Sequence, residues 1–365
     1  MIKLINNLES ERKDKMNKKV KTLMILALIF SLLLSGCGGN TTPTQASSTT
    51  QGDQSTETPA EPINITFADY GNSAMAPADA YRYAIEYISE KSNGRIIIDY
   101  IPNAVLGNET EMIQQLMDGT TKMATLGTST FSLYTDKLEA FQIPFLITDY
   151  EIQQKAFNSP EGKALLAESE TYGIKIVGFA ENGIRHFANN IRPVKTPSDL
   201  NGLKLRIVPS QMLRQSMELL GANPTPLNYG EIYTALQNKV IDGMEINITS
   251  MYAMKHYEVI KYVSEIGMYP FPAVVCFNLD FWNSLSQADQ DLITEGFAKG
   301  TKKLFEEYLP NFEEVARKAC DDIGIEFNVI EDREAFRQLV LPVYDDYRAR
   351  DPKIAAFIDA VLSFQ

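Results

Sequence analysis

The fold of this chain is decided by residues 181–247, which read ENGIRHFANNIRPVKTPSDLNGLKLRIVPSQMLRQSMELLGANPTPLNYGEIYTALQNKVIDGMEIN. Within them, residues 203–207 (LKLRI) alternate apolar and charged side chains, and this period of two predicts a half-buried β-strand. Residues 209–221 follow with an opening Pro-Ser pair, an amphipathic pattern and a closing glycine, which together predict a helix. Arg206 therefore lies near the carboxyl end of a strand that leads into a helix. Open α/β sheets bind small ligands at such positions.

Strand and helix patterns alternate along the rest of the chain as well. Residues 63–68 and 96–101 have the apolar character of buried strands, and Asn108 with Glu111 forms the pattern of a helix N-cap and capping box. Further elements are predicted as strands at 174–179, 262–267, 273–279 and 325–329 and as a long helical region at 287–322. This alternation predicts a mainly parallel sheet covered by helices, and 365 residues are enough for two compact domains.

The charge of the chain limits its partners. The net charge is −13, and because the first 36 residues contain seven lysines or arginines and three acidic residues, the remainder carries −17. A protein this acidic is a poor candidate for binding nucleic acid through phosphates, or for broad attraction to an anionic membrane surface. If its ligand is an anion, local positive charge must overcome an unfavourable overall field.

The N-terminal region has the pattern of a bacterial lipoprotein signal. A basic stretch at 16–21 precedes twelve apolar residues at 23–34, too few to span a bilayer but typical of a signal peptide. Leu-Ser-Gly then leads to Cys37, and this lipobox-like sequence predicts cleavage before Cys37 and lipid attachment to its sulfur. An ordinary cleaved signal is the alternative, and Met16 is a candidate true start. Residues 37–62 are predicted to be a polar tether.

No set of residues points to catalysis or to a metal. Three cysteines are too few for a disulfide framework and lack metal-ligand spacing, although the sequence leaves open a bridge between Cys276 and Cys320. The only histidines are His186 and His256, and neither a nucleophile elbow nor a phosphate-binding glycine loop is present. We therefore expect no catalytic residues, no metal and no cofactor.

Several segments follow the order and spacing of one known family. They are Gly183-Ile184-Arg185, 192–206 (RPVKTPSDLNGLKLR), 221–227 (GANPTPL), 230–237 (GEIYTALQ), Asp242-Gly243, 100–119 and 143–145. In these segments the chain resembles the DctP-type solute receptors of tripartite ATP-independent periplasmic (TRAP) transporters. Agreement over so many ordered segments is far more specific than any single motif.

The resemblance implies an α/β, two-domain fold of the type II periplasmic-binding-protein kind, with a ligand cleft between the domains and long connecting helices. Domain I is expected to comprise residues 63–182 and about 272–311, and domain II about 183–271 and 312–365. It also implies a monomeric receptor, not an enzyme, that binds a small organic acid and passes it to membrane permease subunits. The lipid on Cys37 would hold this receptor at the outer face of the cell membrane.

The resemblance also assigns roles to residues of domain II. Arg206 matches the arginine that holds the ligand's carboxylate by a bidentate contact, for which guanidinium geometry is well suited. Arg185 matches a second arginine that reaches the anion, with a structural ion pair as the alternative. Tyr229 matches an aromatic residue that flanks the ligand, unless it is simply a core tyrosine. The family's polar contact near Asp242-Gly243 is expected at Asn247 first and Glu245 second.

In domain I, the segments that match cleft-lining loops contain Asn72, Glu109 and the run Thr128-Ser129-Thr130. One subgroup of the family has two asparagines after its Asp-Gly pair, and Asn247 matches the second of them. The resemblance to this subgroup favours sugar acids such as hexuronates as ligands. C4-dicarboxylates and other monocarboxylates are alternatives. From other classes, an extracytoplasmic hydrolase or isomerase and a ligand-sensing lipoprotein also stay open.

Overall fold

The computed structural model describes residues 61–365. The predicted signal, Cys37 and most of the predicted tether lie outside these residues. The strands are β1 (Ile63–Ala68), β2 (Ile96–Ile101), β3 (Met123–Gly127), β4 (Ile174–Ile184), β5 (His186–Asn189), β6 (Lys204–Ile207), β7 (Asn223–Pro226), β8 (Gly243–Ile246), β9 (Tyr262–Glu265), β10 (Pro270–Asn278) and β11 (Glu326–Val329). The α-helices are α1 (Ala76–Lys91), α2 (Glu109–Met117), α3 (Tyr150–Asn158), α4 (Pro160–Leu166), α5 (Gln211–Leu219), α6 (Ile232–Gln237), α7 (Ile248–Ala253), α8 (Leu279–Ser284), α9 (Gln287–Lys303), α10 (Leu309–Ile323), α11 (Arg333–Arg350) and α12 (Pro352–Leu362).

The strands form two sheets, which we use to define two lobes. The sheet of the first lobe has the order β2-β1-β3-β10-β4, and that of the second lobe has the order β11-β9-β5-β8-β6-β7. Strands β1, β2 and β3 run parallel, as the sequence predicts, whereas β10 is antiparallel to both of its neighbours. In the second lobe β6 runs parallel to β7 and β8, while β5 is antiparallel to β8 and β9. Both sheets are therefore mixed, and the two-domain α/β fold class is confirmed.

Local sequence signals explain where the helices near the lobe interface begin. Asn108 caps α2 and forms a capping box with Glu111, as predicted. Ser210 caps α5 by accepting a hydrogen bond from the backbone N–H of Leu213 at 3.1 Å. The helix therefore begins immediately after the strand that bears Arg206, so that this arginine lies at the strand's carboxyl end.

The chain crosses between the lobes along two strands and one long helical region. Strand β4 extends to Ile184, beyond its predicted end, and continues into β5 of the second lobe. Gly183 at this crossing has a φ of 123°, and a Cβ there would lie 2.9 Å from the Cβ of Asn247, so glycine is required. Strand β10 makes the return crossing. Helices α9 and α10, which divide the long helical region predicted at 287–322, are joined by a single π-helical turn at Leu304–Tyr308, just before Pro310.

The hydrophobic core continues through both lobes. Its largest cluster includes Ala68 and Leu126 of the first sheet and Leu205 and Ile207 of the second. The terminal helix α12 packs against α3 and α4, and α11 packs against α5. The exact domain limits given by the sequence analysis stay a prediction. No helix among residues 61–365 is long and apolar enough to cross a membrane.

The two cysteines that the structure describes are both buried and free. Cys276 lies on β10 and Cys320 on α10, and neither forms a disulfide. The bridge that the sequence left open is therefore absent from the described part of the chain. Cys276 instead packs in the core as a small apolar residue, which is the usual role of a buried free cysteine.

Candidate ligand-binding site

Two arginines and one glutamate are buried together where the lobes meet. Arg206 lies on β6, Arg185 between β4 and β5, and Glu245 on β8; the arginines are each 2% exposed and the glutamate 0%. Strands β6 and β8 are parallel neighbours, with Arg206 opposite Met244, and this register brings Glu245 close to Arg206. Charged side chains buried this deeply are rare in proteins unless they are paired.

Glu245 is paired with Arg185. One carboxylate oxygen accepts hydrogen bonds from Arg185 Nε at 2.5 Å and from the Tyr269 hydroxyl at 2.9 Å. The Nη2 group of Arg185 donates to the backbone oxygen of Glu245 at 2.7 Å, and the guanidinium carbon lies 4.4 Å from the centre of the Phe271 ring. These contacts match the alternative interpretation of Arg185 as a structural ion-pair partner.

Arg206 makes fewer and longer polar contacts with the protein than Arg185 does. Its Nε donates to the backbone oxygen of Leu227 at 2.9 Å, and its Nη1 lies 3.9 Å from the nearer oxygen of Glu245. That separation is too long for a hydrogen bond. Burial lowers the pKa of Arg206 to about 10, so that the side chain is still charged at neutral pH. The residues of 61–365 thus neutralise Arg185 more completely than Arg206.

Two neighbouring chambers lie where the lobes meet, and Arg206 lines the inner one. The inner chamber has a volume of about 20 Å³, and the outer chamber has about 170 Å³. The inner chamber is lined by Tyr70, Gly71, Met75, Glu109, Asn182, Arg185, Arg206, Val208, Tyr229, Ser250 and Phe271. The outer chamber is lined by Tyr70, Asn72, Asn103, Ala104, Asn108, Glu109, Asn228, Tyr229, Gly230 and Met254. Tyr70, Glu109 and Tyr229 therefore separate the two spaces, and both lobes contribute to each.

Glu109 supplies the acidic group of this site. It is the first residue of α2, and its Oε1 accepts hydrogen bonds from the backbone N–H of Gly127 at 2.9 Å and the Thr130 hydroxyl at 2.8 Å. Burial raises the pKa of Glu109, while these two donors act in the opposite direction. Because the donors fix one oxygen, the other is left to accept a hydrogen bond from a group in the chambers.

Half of the predicted binding residues line the two chambers. Arg206, Arg185, Tyr229 and Glu109 line the inner chamber, and Asn72 lines the outer one. Whether these residues contact a ligand stays a prediction.

The other five expected residues line neither chamber. Asn247 caps α7 by accepting from the backbone N–H of Ser250 at 2.8 Å, so its amide is used within the protein and lines neither chamber. Glu245 also lines neither, because its carboxylate serves the arginines. Thr128 and Ser129 are buried beside the site without lining it, and Thr130 acts only through Glu109.

The structure adds residues that the sequence analysis missed. Tyr70 lines both chambers, and its buried hydroxyl has no hydrogen-bond partner among the described residues. It follows the end of β1, so the rule that ligands bind at the carboxyl ends of strands could have identified it. Phe271 and Ser250 also line the inner chamber. Their positions depend on how the lobes meet, which no local pattern encodes.

A larger cavity than either chamber lies elsewhere. A groove of about 750 Å³ runs along the outer edge of β4, between α3, α4 and α9. It contains neither buried arginine, and Lys175 within it is already paired with Glu170 at 2.6 Å. Cavity volume is therefore a poor guide to the binding site here. The larger groove lacks a buried arginine such as Arg206, which lines the inner chamber.

Comparison with known proteins identifies the family. Residues 79–351 match the model of bacterial extracellular solute-binding protein family 7, DctP. The chain belongs to this family. Its relatives include the 2,3-diketo-L-gulonate-binding periplasmic protein YiaO of Escherichia coli, which is 30% identical over 76% of this chain and 84% of its own length. The C4-dicarboxylate-binding periplasmic protein DctP of Rhodobacter capsulatus is 31% identical over 80% of this chain and 88% of its own length.

Solved TRAP receptor structures have the same fold. A TRAP periplasmic solute-binding protein from Anaerococcus prevotii with bound D-glucuronate is 27% identical, with a TM-score of 0.79 over 83% of this chain and 98% of that one. The sugar acid binding protein of Advenella mimigardefordensis in complex with galactonate is 25% identical, with a TM-score of 0.79 over 84% and 99%. This member of the DctP family is accordingly an extracytoplasmic TRAP solute receptor, and its relatives are receptors rather than enzymes.

Proposed function

We propose that this receptor binds a sugar acid, such as a hexuronate, through a carboxylate contact to Arg206 and delivers it to a TRAP permease. The single observation that carries the proposal is the difference between the two buried arginines. Arg185 has Glu245 as a close partner, whereas Arg206 lines the inner chamber and has no acid within hydrogen-bonding distance among residues 61–365. A ligand carboxylate in that chamber would supply the missing negative charge.

The energetics of burial support this assignment. A buried charge without a close partner is costly, and the cost is recovered when an anion arrives with matching geometry. The two oxygens of a carboxylate fit the parallel N–H groups of a guanidinium, which lysine cannot reproduce. Closure around such a pair would strengthen it because little water is left to screen the charges. Arg206 is thus suited to an incoming carboxylate.

Glu109 favours sugar acids over dicarboxylates as the ligand. A second carboxylate on the ligand would have to lie near the Glu109 carboxyl group, whereas a sugar hydroxyl could donate to its free oxygen. Sugar acids are bound by the neighbouring structures named above, and a C4-dicarboxylate by the Rhodobacter capsulatus relative. A C4-dicarboxylate is therefore the main alternative.

The proposal is tested by calorimetric titration of ligand-free receptor with D-glucuronate. We expect Arg206→Ala to lower the affinity at least about a hundredfold, because it leaves a buried carboxylate unpaired. Arg206→Lys keeps the charge but loses the paired contact, and should lower the affinity about tenfold. Arg214→Lys, an exposed position on α5, is the matched control and should bind like the wild type. Unchanged affinity in Arg206→Ala would refute the role of Arg206, and recovery of converted ligand would favour an enzyme.

Delivery and anchoring belong to the same proposal. The family's TRAP context supports transfer to a permease, and the lipobox-like sequence supports a lipid on Cys37. We propose that the receptor is a monomer with the domain limits 63–182 plus about 272–311 and 183–271 plus 312–365. Detergent phase partition of the full chain tests the anchor: the wild type should enter the detergent phase and Cys37→Ser the aqueous phase. Equal partition would remove the lipid from the proposal.

A further inference from the structure

The outer chamber is lined by asparagines, and the backbone fixes the amide orientation of two of them. Asn103 accepts a hydrogen bond from the N–H of Ser73 at 2.9 Å, and Asn108 accepts one from the N–H of Glu111 at 3.1 Å. Asn228 begins the turn Tyr229–Glu231 of the second lobe, where its backbone N–H donates to the Glu231 carboxylate at 2.8 Å. A backbone N–H can only donate, so the side-chain oxygens of Asn103 and Asn108 must face the backbone, and the NH₂ group of each is the part left over.

These NH₂ groups have no acceptor within residues 61–365. None of the three donates a hydrogen bond there, whereas the fourth asparagine, Asn72, has only long contacts of 3.5 Å to the oxygen of Ala253 and 3.8 Å to a methionine sulfur. Asn103 and Asn108 come from the first lobe and Asn228 from the second. Up to six neutral N–H donors therefore border a chamber between the lobes, together with the buried, unpartnered hydroxyl of Tyr70.

The charges that line the outer chamber limit which ligand groups can bind there. No lysine or arginine is among its lining residues, and its one charged lining group is the Glu109 carboxyl. Neutral amide donors and an acidic acceptor suit hydroxyl groups, which accept from the former and donate to the latter. A carboxylate there would find no cation and would face Glu109.

The size of the inner chamber determines how a ligand must be divided. About 20 Å³ is room for a group of roughly the size of one water molecule. In this arrangement of the lobes, the inner chamber has room for no group larger than one carboxylate at Arg206, so the rest of the ligand must extend past Tyr70 and Tyr229 into the outer chamber.

We propose that the outer chamber is a subsite for the uncharged, hydroxyl-bearing part of the ligand, with Asn103, Asn108 and Asn228 as specificity-determining residues. This inference rests on the proposed function, because it takes the carboxylate at Arg206 as given. Since the asparagines come from both lobes, a polyhydroxylated ligand bridges them and stabilises the closed form. The receptor then selects for one carboxylate with a neutral polyhydroxyl tail, and against a second carboxylate.

Cap-preserving variants test the subsite. Serine caps a helix as well as asparagine does and carries no charge, so Asn108→Ser with Asn228→Ser removes two NH₂ groups while it keeps the cap of α2 and a residue suited to begin a turn at position 228. Asn158→Ser, outside both chambers, is the control. The measurements are calorimetric Kd values for D-glucuronate and succinate, with the stabilisation by millimolar glycolate, an acid without a polyhydroxyl tail, read from the Tm.

We expect the wild type to bind D-glucuronate at least about tenfold more tightly than succinate, and the double variant to lose at least about tenfold in glucuronate affinity. Its Tm without ligand and its response to glycolate should match those of the control. Wild-type glucuronate affinity in the double variant would overturn the subsite while leaving the proposed function intact. Tighter binding of succinate than of glucuronate by the wild type would overturn both, because it would favour the C4-dicarboxylate alternative. Glucuronate binding that survives Arg206→Ala would instead remove the proposed function and the subsite with it.

Discussion

Glu245 makes two arginines of similar burial chemically different. It binds Arg185 through its side chain and its backbone oxygen, and it lies beyond hydrogen-bonding distance of Arg206. Only one of the two guanidinium groups is therefore closely paired. At the scale of single residues, the site is suited to an anion because Glu245 pairs closely with Arg185 and not with Arg206.

Removing the charge of Glu245 should expose this difference. In Glu245→Gln, two buried cations would lack an acidic partner, and we expect the free energy of unfolding to fall by about 3–5 kcal/mol. A bound sugar acid would replace part of the lost charge, so saturating D-glucuronate should stabilise the variant more than it stabilises the wild type. Urea denaturation with and without ligand measures both effects.

The exposed Glu314→Gln is the control for this substitution and should be neutral within about 0.5 kcal/mol. A loss of less than about 1 kcal/mol in Glu245→Gln would mean that the buried arginines do not depend on this carboxylate.

Sequence reasoning located single residues of the site better than it located their partners. Arg206 is recognisable because a strand pattern and a helix cap adjoin it. The pairing of Arg185 with Glu245 joins residues 60 positions apart, and no local pattern encodes it. The role of Asn247 is hard to predict for a related reason: an asparagine that begins a helix is suited to be a cap or a ligand contact, and in the structure its side chain caps α7.

At the scale of elements, strand β4 shows how a crossing between lobes can bury a polar segment. Its predicted end at residue 179 follows from the loss of apolar alternation at Glu181-Asn182-Gly183. The structure continues the strand because Glu181 accepts hydrogen bonds from the backbone N–H groups of Gly183 at 2.6 Å and Phe271 at 2.8 Å. One carboxyl group thus joins β4 to β10 at the crossing. Polar residues there are structural, although their composition resembles a loop.

Glu181 should make the stability of the protein depend on pH. Burial raises its pKa to about 8. The hydrogen bonds from Gln153 and from the two backbone N–H groups act to lower this pKa, whereas the nearby Glu313 raises it further. Because the folded state holds this proton more tightly than the unfolded chain, whose pKa is near 4.5, the contribution of Glu181 to stability falls as pH rises from about 4.5 to 8. Tyr150, which donates to Glu313, faces the same cluster.

Replacement by a neutral isostere should remove this dependence. Glu181→Gln keeps an acceptor for the two backbone N–H groups, and its NH₂ can donate to the Gln153 oxygen, which has no partner among the described residues. We expect the Tm of the variant to exceed that of the wild type by about 2 °C or more at pH 9, and to differ little at pH 5. A Tm difference that does not change between these pH values would show that Glu181 does not titrate in this range.

At the scale of the whole molecule, the site must attract an anion to an acidic protein. The net charge of −13 repels a carboxylate at long range, whereas Arg206 attracts it only after it enters the chamber. The long-range repulsion lowers the association rate constant of the ligand, and the buried contact with Arg206 lowers its dissociation rate constant. These two contributions differ in their sensitivity to salt, because screening weakens interactions through solvent far more than those inside a closed cleft.

The salt dependence of binding should therefore have the opposite sign to that of a receptor with an exposed basic patch. Between about 20 and 200 mM NaCl, screening of the repulsion should raise the association rate constant of D-glucuronate about two- to threefold, while the dissociation rate constant changes little. Stopped-flow fluorescence measures both. Neutralising three exposed acids with Asp280→Asn, Glu314→Gln and Asp345→Asn should reduce the rise without changing the dissociation rate. If affinity instead falls steeply with salt, the anion is held at an exposed, screened surface, and the enclosed contact at Arg206 is not where it binds.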